Sequence, residues 1–380
     1  MRINDVLSQL KVGDVEYRKL GDIITFLNGR AYKQTELLSS GKYKVVRVGN
    51  FFTNDKWYYS DLELEDNKYC NNGDLLYCWA ASLGPQIWTG DKTIFHYHIW
   101  KLEFDETVIS KRYLYHFLKK DVDDIYNSLT QSTMPHVSMA SMKERIIPIP
   151  PMEIQSEIVK VLDNFTELTA ELTVELTARK KQYEYYRDLL LDFGVHGGGA
   201  DDCEWRTIKE VANIKAGKAI SASQISSIQD KEHMIKCYGG NGLRGYVKAF
   251  SHSGEYPIIG RQGALCGNVN YAIGDIYATE HAVVVESKGE LSQRFLYYFL
   301  ISMNLNQYKS KGAQPGLAVG NIEKLPIPVP PIEEQERIVS ILDRFDKLCN
   351  DISEGLPKEI ELRKKQYEYY RDKLLSFSAK

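Results

Sequence analysis

The sequence has no C-x-x-C pair, no histidine cluster at zinc-ligand spacing and no apolar run near the ~20 residues that a bilayer span requires. Its six cysteines, at positions 70, 78, 203, 237, 266 and 349, are scattered and suggest neither a metal site nor a disulfide framework. They read as buried or incidental thiols. The opening "MRINDVLSQLKVGD" lacks the charged-then-apolar order of a secretory signal, so a cytoplasmic location is expected.

Catalytic signatures are also missing. "NIKAGKAI" has a Gly-Lys pair but not the earlier glycine of a phosphate-cradling loop. No Gly-x-Gly-x-x-Gly exists, and the triplet Gly197, Gly198 and Gly199 reads as a linker. No Asp or Asn precedes two prolines and an aromatic, so the amino-methyltransferase signature is absent, and "PIPPM" lacks the polar residue that would hold a target amine. His96 and His98 alternate on an apparent strand, "IFHYHIW", with no third ligand suggested nearby, and read as core or surface histidines. Glu63 and Glu65 with Lys68 read as a solvated turn rather than a nuclease cluster. No catalytic, metal or cofactor-binding motif is therefore recognised in the chain.

What is present is ordinary in bulk and unusual in arrangement. At 380 residues the chain exceeds the size of most single cores, so two domains are expected. The net charge of -3 is unevenly spread: residues 1–150 hold 19 basic and 19 acidic side chains, and 195–330 hold 14 and 12. Residues 151–194 hold 5 against 9, and 331–380 hold 10 against 11. The acidity lies in two particular segments, and bulk charge neither excludes nor requires a nucleic-acid partner.

Those two segments are copies. "IPIPPMEIQSEIVKVLDNFTEL" (147–168) matches "LPIPVPPIEEQERIVSILDRFDKL" (325–348), with Gln155, Ile158, Leu162, Asp163 and Phe165 recurring 180 positions later. "RKKQYEYYRD" at 179–188 recurs unchanged at 363–372. Weaker similarity places Glu16 on Glu204, Gly29 on Gly217, Pro135 on Pro315 and "KRYLYHFLKK" on "QRFLYYFLIS". The plan is a variable domain, a shared segment, a second variable domain and a second shared segment.

Each shared segment begins with prolines, which favour extended backbone and tolerate a helix start, followed by glutamates suited to a helix N-terminus. Apolar residues then keep 3–4 spacing, and no proline interrupts 152–193, which predicts a helix of roughly 40 residues, about 60 Å long. Within it, "TELTAELTVELT" repeats every four residues. In the second copy, Gly355 and Pro357 should break or kink the helix. The variable domains carry strand-like runs broken by Gly and Asn, with helical patterns at 110–120 and 292–303, and read as α+β domains with largely antiparallel sheets. Two long helices of this kind most economically bury their stripes against each other, antiparallel and related by a pseudo-twofold. The expected boundaries are 1–150 and 195–330 for the variable domains, with 151–194 and 331–380 for the helices.

The duplicated plan, "PPxExQxxIVxxLDxF", "RKKQYEYYRDxLL" and the four-residue array together resemble the specificity subunits of type I restriction-modification systems. The resemblance spans essentially the whole chain. It implies a non-catalytic reader of double-stranded DNA in which each variable domain, a target recognition domain, reads one half of a bipartite asymmetric sequence. It also implies helices that set the spacing and dock two modification (methyltransferase) subunits, which bind S-adenosylmethionine and methylate adenine. Restriction subunits using ATP and Mg would join them. Alternatives are a related system with a fused modification-cleavage partner, a single-chain enzyme with unrecognised motifs, and a coiled-coil scaffold without a DNA role.

Groove reading calls for Arg, Lys, Asn, Gln or Ser on loops. The candidates in the first domain are Arg30, Lys33, Trp79, Ser82, Gln86, His136 and Ser138. Those in the second are Lys218, Arg244, Arg261, Gln262 and Gln314. Tyr and Arg are favoured at interfaces, so Tyr183, Tyr186, Arg187, Tyr367, Tyr370 and Arg371 are candidates for subunit docking, with packing between the helices as the competing role.

Overall fold

A computed structural model describes residues 15–128, 135–194, 203–311, 315–351 and 353–377. Gln314 and the glycine triplet 197–199 lie outside the described residues. Each variable region begins and ends in one short antiparallel ribbon: Glu16–Lys19 pairs with Ile146–Ile149, and Glu204–Thr207 pairs with Pro326–Val329. Pro148 and Pro328 sit in these ribbons without conflict, because a two-stranded pair always has an open edge for a residue with no N–H.

Among the described residues, five helices of ten residues or more carry the architecture: α1 (Lys111–Ser128), α2 (Met152–Leu190), α3 (Gln293–Ser302), α4 (Ile332–Asn350) and α5 (Leu356–Leu374). The uninterrupted pattern from 152 yields one helix of 39 residues. In the second shared segment the predicted break is real. The α4 helix ends at Asn350 and α5 starts at Leu356, with Pro357 in its first turn, where its missing N–H costs nothing. Gly355 sits against the exposed carbonyls that end α4; a Cβ there would lie 2.5 Å from the Lys347 oxygen.

The first variable region builds two four-stranded sheets and the second one six-stranded sheet. Pairing is antiparallel except where Tyr43–Val46 meets Thr93–Phe95 and where Ile235–Gly239 meets Val269–Ala278. The fold is therefore α+β with an internal duplication. Gly29 and Gly217 occupy one conserved position for a steric reason. A Cβ would lie 2.3 Å from the Phe95 oxygen in one half and 2.1 Å from the Ala278 oxygen in the other.

By contacts the chain forms two units, residues 1–171 with 360–380 and residues 172–359. In the first unit, Tyr113, Leu114 and Leu118 of α1 pack with Ile158 and Leu162 of α2 and with Tyr367 and Leu374 of α5. In the second, Phe295, Tyr298 and Phe299 of α3 pack with Tyr183 and Leu190 of α2 and with Ile338 and Leu342 of α4. The four-residue array of α2 spans the division, with Leu168, Leu172 and Leu176 half-buried and Glu167, Glu171 and Glu175 exposed.

The same two polar joints tie each helix start to its domain. Gln155 is fully buried; its amide donates to Val108 O (3.0 Å) and Pro150 O (2.9 Å) and its oxygen accepts from Ser110 N–H (2.8 Å). Gln335 repeats this with Glu290 O (3.0 Å), Pro330 O (2.9 Å) and Ser292 N–H (2.8 Å). Ser110 and Ser292 in turn cap α1 and α3 through their hydroxyls. Asp163 grips Arg112 and His116, while Asp343 grips Arg294 and Tyr298.

Candidate nucleic-acid interface

One hydrogen-bonded backbone frame recurs at the loop end of each variable region. Arg30 N–H donates to Phe95 O (2.9 Å) as Lys218 N–H does to Ala278 O (3.0 Å). Trp79 N–H donates to His98 O (3.1 Å) as Arg261 N–H does to His281 O (2.9 Å). Val137 N–H donates to Trp79 O (3.0 Å) as Leu317 N–H does to Arg261 O (2.8 Å), and Ala81 and Gly263 reach Pro135 O and Pro315 O, both at 3.0 Å. His96 N–H and Thr279 N–H donate to Val46 O and Tyr238 O, both at 2.9 Å. These bonds set Trp79 opposite Arg261 in the duplication, Ala81 opposite Gly263, His98 opposite His281, His136 opposite Gly316 and Arg47 opposite Gly239. Even the left-handed backbone is kept: φ is 68° at Ala81 and 91° at Gly263.

In the first unit the frame encloses a cleft of about 230 Å³ that Arg47, Asn50, Lys56, Tyr58, His96 and His98 help to line. The alternating strand expected through His96 and His98 is interrupted. Ile99 N–H donates to His96 O (2.9 Å) and the chain turns at 96–98, so the two rings, 5.0 Å apart, stand on a turn instead of along one face of a continuous strand. Burial, then His98 and Arg47, push the His96 imidazole down to about 4; burial and Arg47 lower His98 as well. Both rings are neutral at pH 7 and can donate or accept.

Two of the first-domain candidates serve the frame itself. Arg30 is held by Glu36 at 2.7 Å and lies over the Tyr32 ring, so its fork is already occupied. Hydrogen bonds from Arg30 and from the Lys33 backbone push the Glu36 carboxyl down to about 2. Trp79 stacks on Trp100 at 5.8 Å and donates its indole N–H to Tyr97 O at 2.7 Å. Lys33 and His136 are exposed, and Ser138 caps the short helix Met139–Glu144 by accepting from Ser141 N–H at 3.1 Å. Ser82 and Gln86 are half-buried and neither lines the cleft; Ser82 follows the lining residue Ala81, and Gln86 lies in the strand Gly84–Ile87, paired with Leu76.

The second unit has a wider cleft, about 620 Å³, lined by Arg244, Gln262, Asn241 and His281 among glycines 239, 240, 242, 263 and 316. Where the first cleft has Arg47, Val48 and Ala81, this one has glycine, which accounts for its width. Arg244 and Gln262 are brought together as lining residues. Arg261 is half-buried just behind, its Nε without a protein partner, and Lys218 is exposed on the frame. Sequence reading missed Arg47, Asn50, Lys56, Asn241 and His281. The signals available were the glycine run in "YGGNGLRG" and the asparagines in "RVGNFFTND".

On the helices the repeated "QYEYYRD" motif divides by face. Tyr183 and Tyr367 are 9% and 6% exposed and Arg371 is 6% exposed, each buried within its own unit. Tyr367 bonds His116 Nδ1 at 3.0 Å, and Arg371 bonds Asp123 at 2.8 Å. Tyr186 stacks on Phe345 at 5.7 Å as Tyr370 stacks on Phe165 at 5.4 Å, while Arg187 pairs with Asp188. The expected exposed docking face therefore does not include Tyr183, Tyr367 or Arg371, which burial removes from it. The most exposed tyrosines of the motif are Tyr185 and Tyr369, at 63% and 53%, with Tyr186 next at 37%. Among the described residues no group of three or more His, Cys, Asp or Glu could hold a metal ion, and no helix is long and apolar enough to cross a membrane.

The family described as type I restriction modification DNA specificity domain matches twice, over residues 13–179 and 200–362. The EcoprrI specificity subunit of Escherichia coli is 37% identical over 365 residues, covering 90% of each chain. The EcoR124I/EcoR124II specificity subunit of the same species is 36% identical over 271 residues, covering 63% of this chain and 65% of its own. The fold is shared with the S subunit of a type I restriction-modification system from M. genitalium, with a TM-score of 0.64, 17% identity and coverage of 97% and 98%. Two family matches in one chain are the duplication already seen in the paired cores, joints and clefts. The chain belongs to the specificity subunits of type I restriction-modification systems.

Proposed function

We propose that this chain reads a bipartite, asymmetric target in double-stranded DNA, one half-site per cleft, and performs no chemistry itself. The observation that carries the reading is the pair of clefts on one backbone frame with different furniture. An identical frame fixes how each cleft meets a duplex, and different side chains give each a different sequence to read. Neutral histidines and asparagines in one cleft, and an arginine and glutamine in the other, are groups that discriminate base edges.

In this reading the helices dock two modification subunits through the exposed side of the repeated motif, centred on Tyr185 and Tyr369. S-adenosylmethionine is bound by those subunits, and ATP with Mg by restriction subunits that join the complex. The recognition domains are taken as 1–150 and 195–330, and the helical segments as 151–194 and 331–380.

The test is co-expression with a cognate modification subunit followed by genome-wide mapping of methylated positions. Two short defined blocks separated by a fixed undefined spacer are expected. A contiguous palindrome, or no defined motif, would overturn the reading.

A further inference from the structure

Arginines are the residues most often used to read guanine, so how each arginine is already engaged limits which of them can read a base. At least ten arginines among the described residues hold a carboxylate within ion-pair distance, including Arg30, Arg206 and Arg294 around the variable domains. Arg244 lines the second cleft, is exposed and has no such partner among the described residues. Its stem lies against Gly239, with Cδ 3.4 Å from where a Cβ on that glycine would be, so the backbone positions the side chain while the guanidinium remains open. The Arg47 cation of the first cleft starts from the equivalent of Gly239, stacks on Tyr58 at 5.3 Å and shares its cleft with Lys56.

We infer that Arg244 is a specificity-determining residue that reads the guanine of one G·C pair in the half-site of the second unit. The inference rests on the proposed role of the clefts. Guanine offers two acceptors, N7 and O6, spaced for the two parallel N–H groups of a guanidinium fork. A phosphate contact would be served equally by a lysine and is normally surrounded by further cations. Among the described residues no lysine lines this cleft; the polar side chains that line it with Arg244 are the amides of Gln262 and Asn241 and the imidazole of His281, suited to adjoining base edges. The glycine lining leaves room for a base edge to come within hydrogen-bonding distance of the backbone.

The experiment compares complexes of wild type, Arg244→Ala and Arg244→Lys with their modification subunits, by methylation mapping and by methylation rates on duplexes varied one pair at a time. Wild type must first give a two-block motif; without one, the role proposed for the clefts fails, not the assignment of Arg244. Both variants are expected to lose discrimination at one and the same G·C pair of one block, by roughly ten- to a hundredfold, with the other block unchanged. Lysine should not rescue, because it keeps the charge and loses the fork. A uniform fall in methylation with both blocks intact, full discrimination in Arg244→Lys, or relaxation at an A·T pair would each overturn the assignment. Arg244 is on the surface, and recovery of the intact complex verifies that each variant folds.

Discussion

Gln155 makes three hydrogen bonds with no solvent exposure, and each partner is a backbone group with no other partner in prospect once the amide is gone. Gln155→Ala would strand the Ser110 N–H at the cap of α1, the Val108 carbonyl just before it and the Pro150 carbonyl at the start of α2. A loss of ~2–4 kcal/mol is expected, read as a lowered unfolding midpoint. Gln335→Ala should do the same in the second unit; a change within ~0.5 kcal/mol in either would mean that water replaces the amide. A second residue-scale expectation concerns acid. The folded His96 imidazole titrates at about 4, below the ordinary 6.5, because it is buried and faces His98 and Arg47. The unfolded chain therefore binds more protons between those values, and stability falls as pH drops from about 6.5 towards 4. Burial also lowers His116, against the pull of Asp163, and adds a loss of the same sign. Chemical denaturation at pH 7 and pH 5 should show this fall, and His96→Asn should flatten it; an unchanged slope in the variant would place the effect elsewhere.

At the scale of elements, α2 was the most legible part of the sequence, and its four-residue array is its most testable part. Each unit of four advances the helix ~6 Å and overshoots one turn by roughly 40°. Deleting Thr169–Leu172 keeps the Leu and Glu registers of the array, since both recur every four residues. The expected outcome is a methylated motif with both blocks unaltered and a shortened spacer. A changed block with the old spacer would refute it. The helix was readable because periodicity and the absence of proline act locally, as did the break at Gly355 and Pro357. The clefts were not readable, because their residues are assembled by ladder hydrogen bonds between strands distant in sequence. Glu36 holds Arg30 through an ion pair that the sequence does not announce, and the alternation at His96 and His98 conceals a turn that one hydrogen bond, from Ile99 N–H to His96 O, imposes. Arg244 stands out in a glycine-rich stretch, whereas Arg47, just past the strand Tyr43–Val46, has only Gly239 as its counterpart in the other half and so no like residue to expose it.

At the scale of the molecule, the duplication distributes its copies unexpectedly. The first "RKKQYEYYRD", in α2, belongs to the second unit, and the second copy, in α5, completes the first unit. Each unit thus owns one copy, with its inward tyrosine fixed in a core and its outward tyrosine at the surface: Tyr367 and Tyr369 in one, Tyr183 and Tyr185 in the other. One outward tyrosine in each unit suits the two modification subunits proposed to dock here, and an interface tyrosine is a common site of concentrated binding energy. Tyr369→Ala should weaken one modification subunit by about 2 kcal/mol, roughly thirtyfold, and Tyr185→Ala the other. Native mass measurement near the wild-type dissociation constant should then find one modification subunit on each single variant and none on the double variant. Removing an outward ring leaves the cores intact, so unfolding midpoints should stay within ~0.5 kcal/mol of wild type. Two subunits retained by the double variant would move the docking surface off this motif altogether.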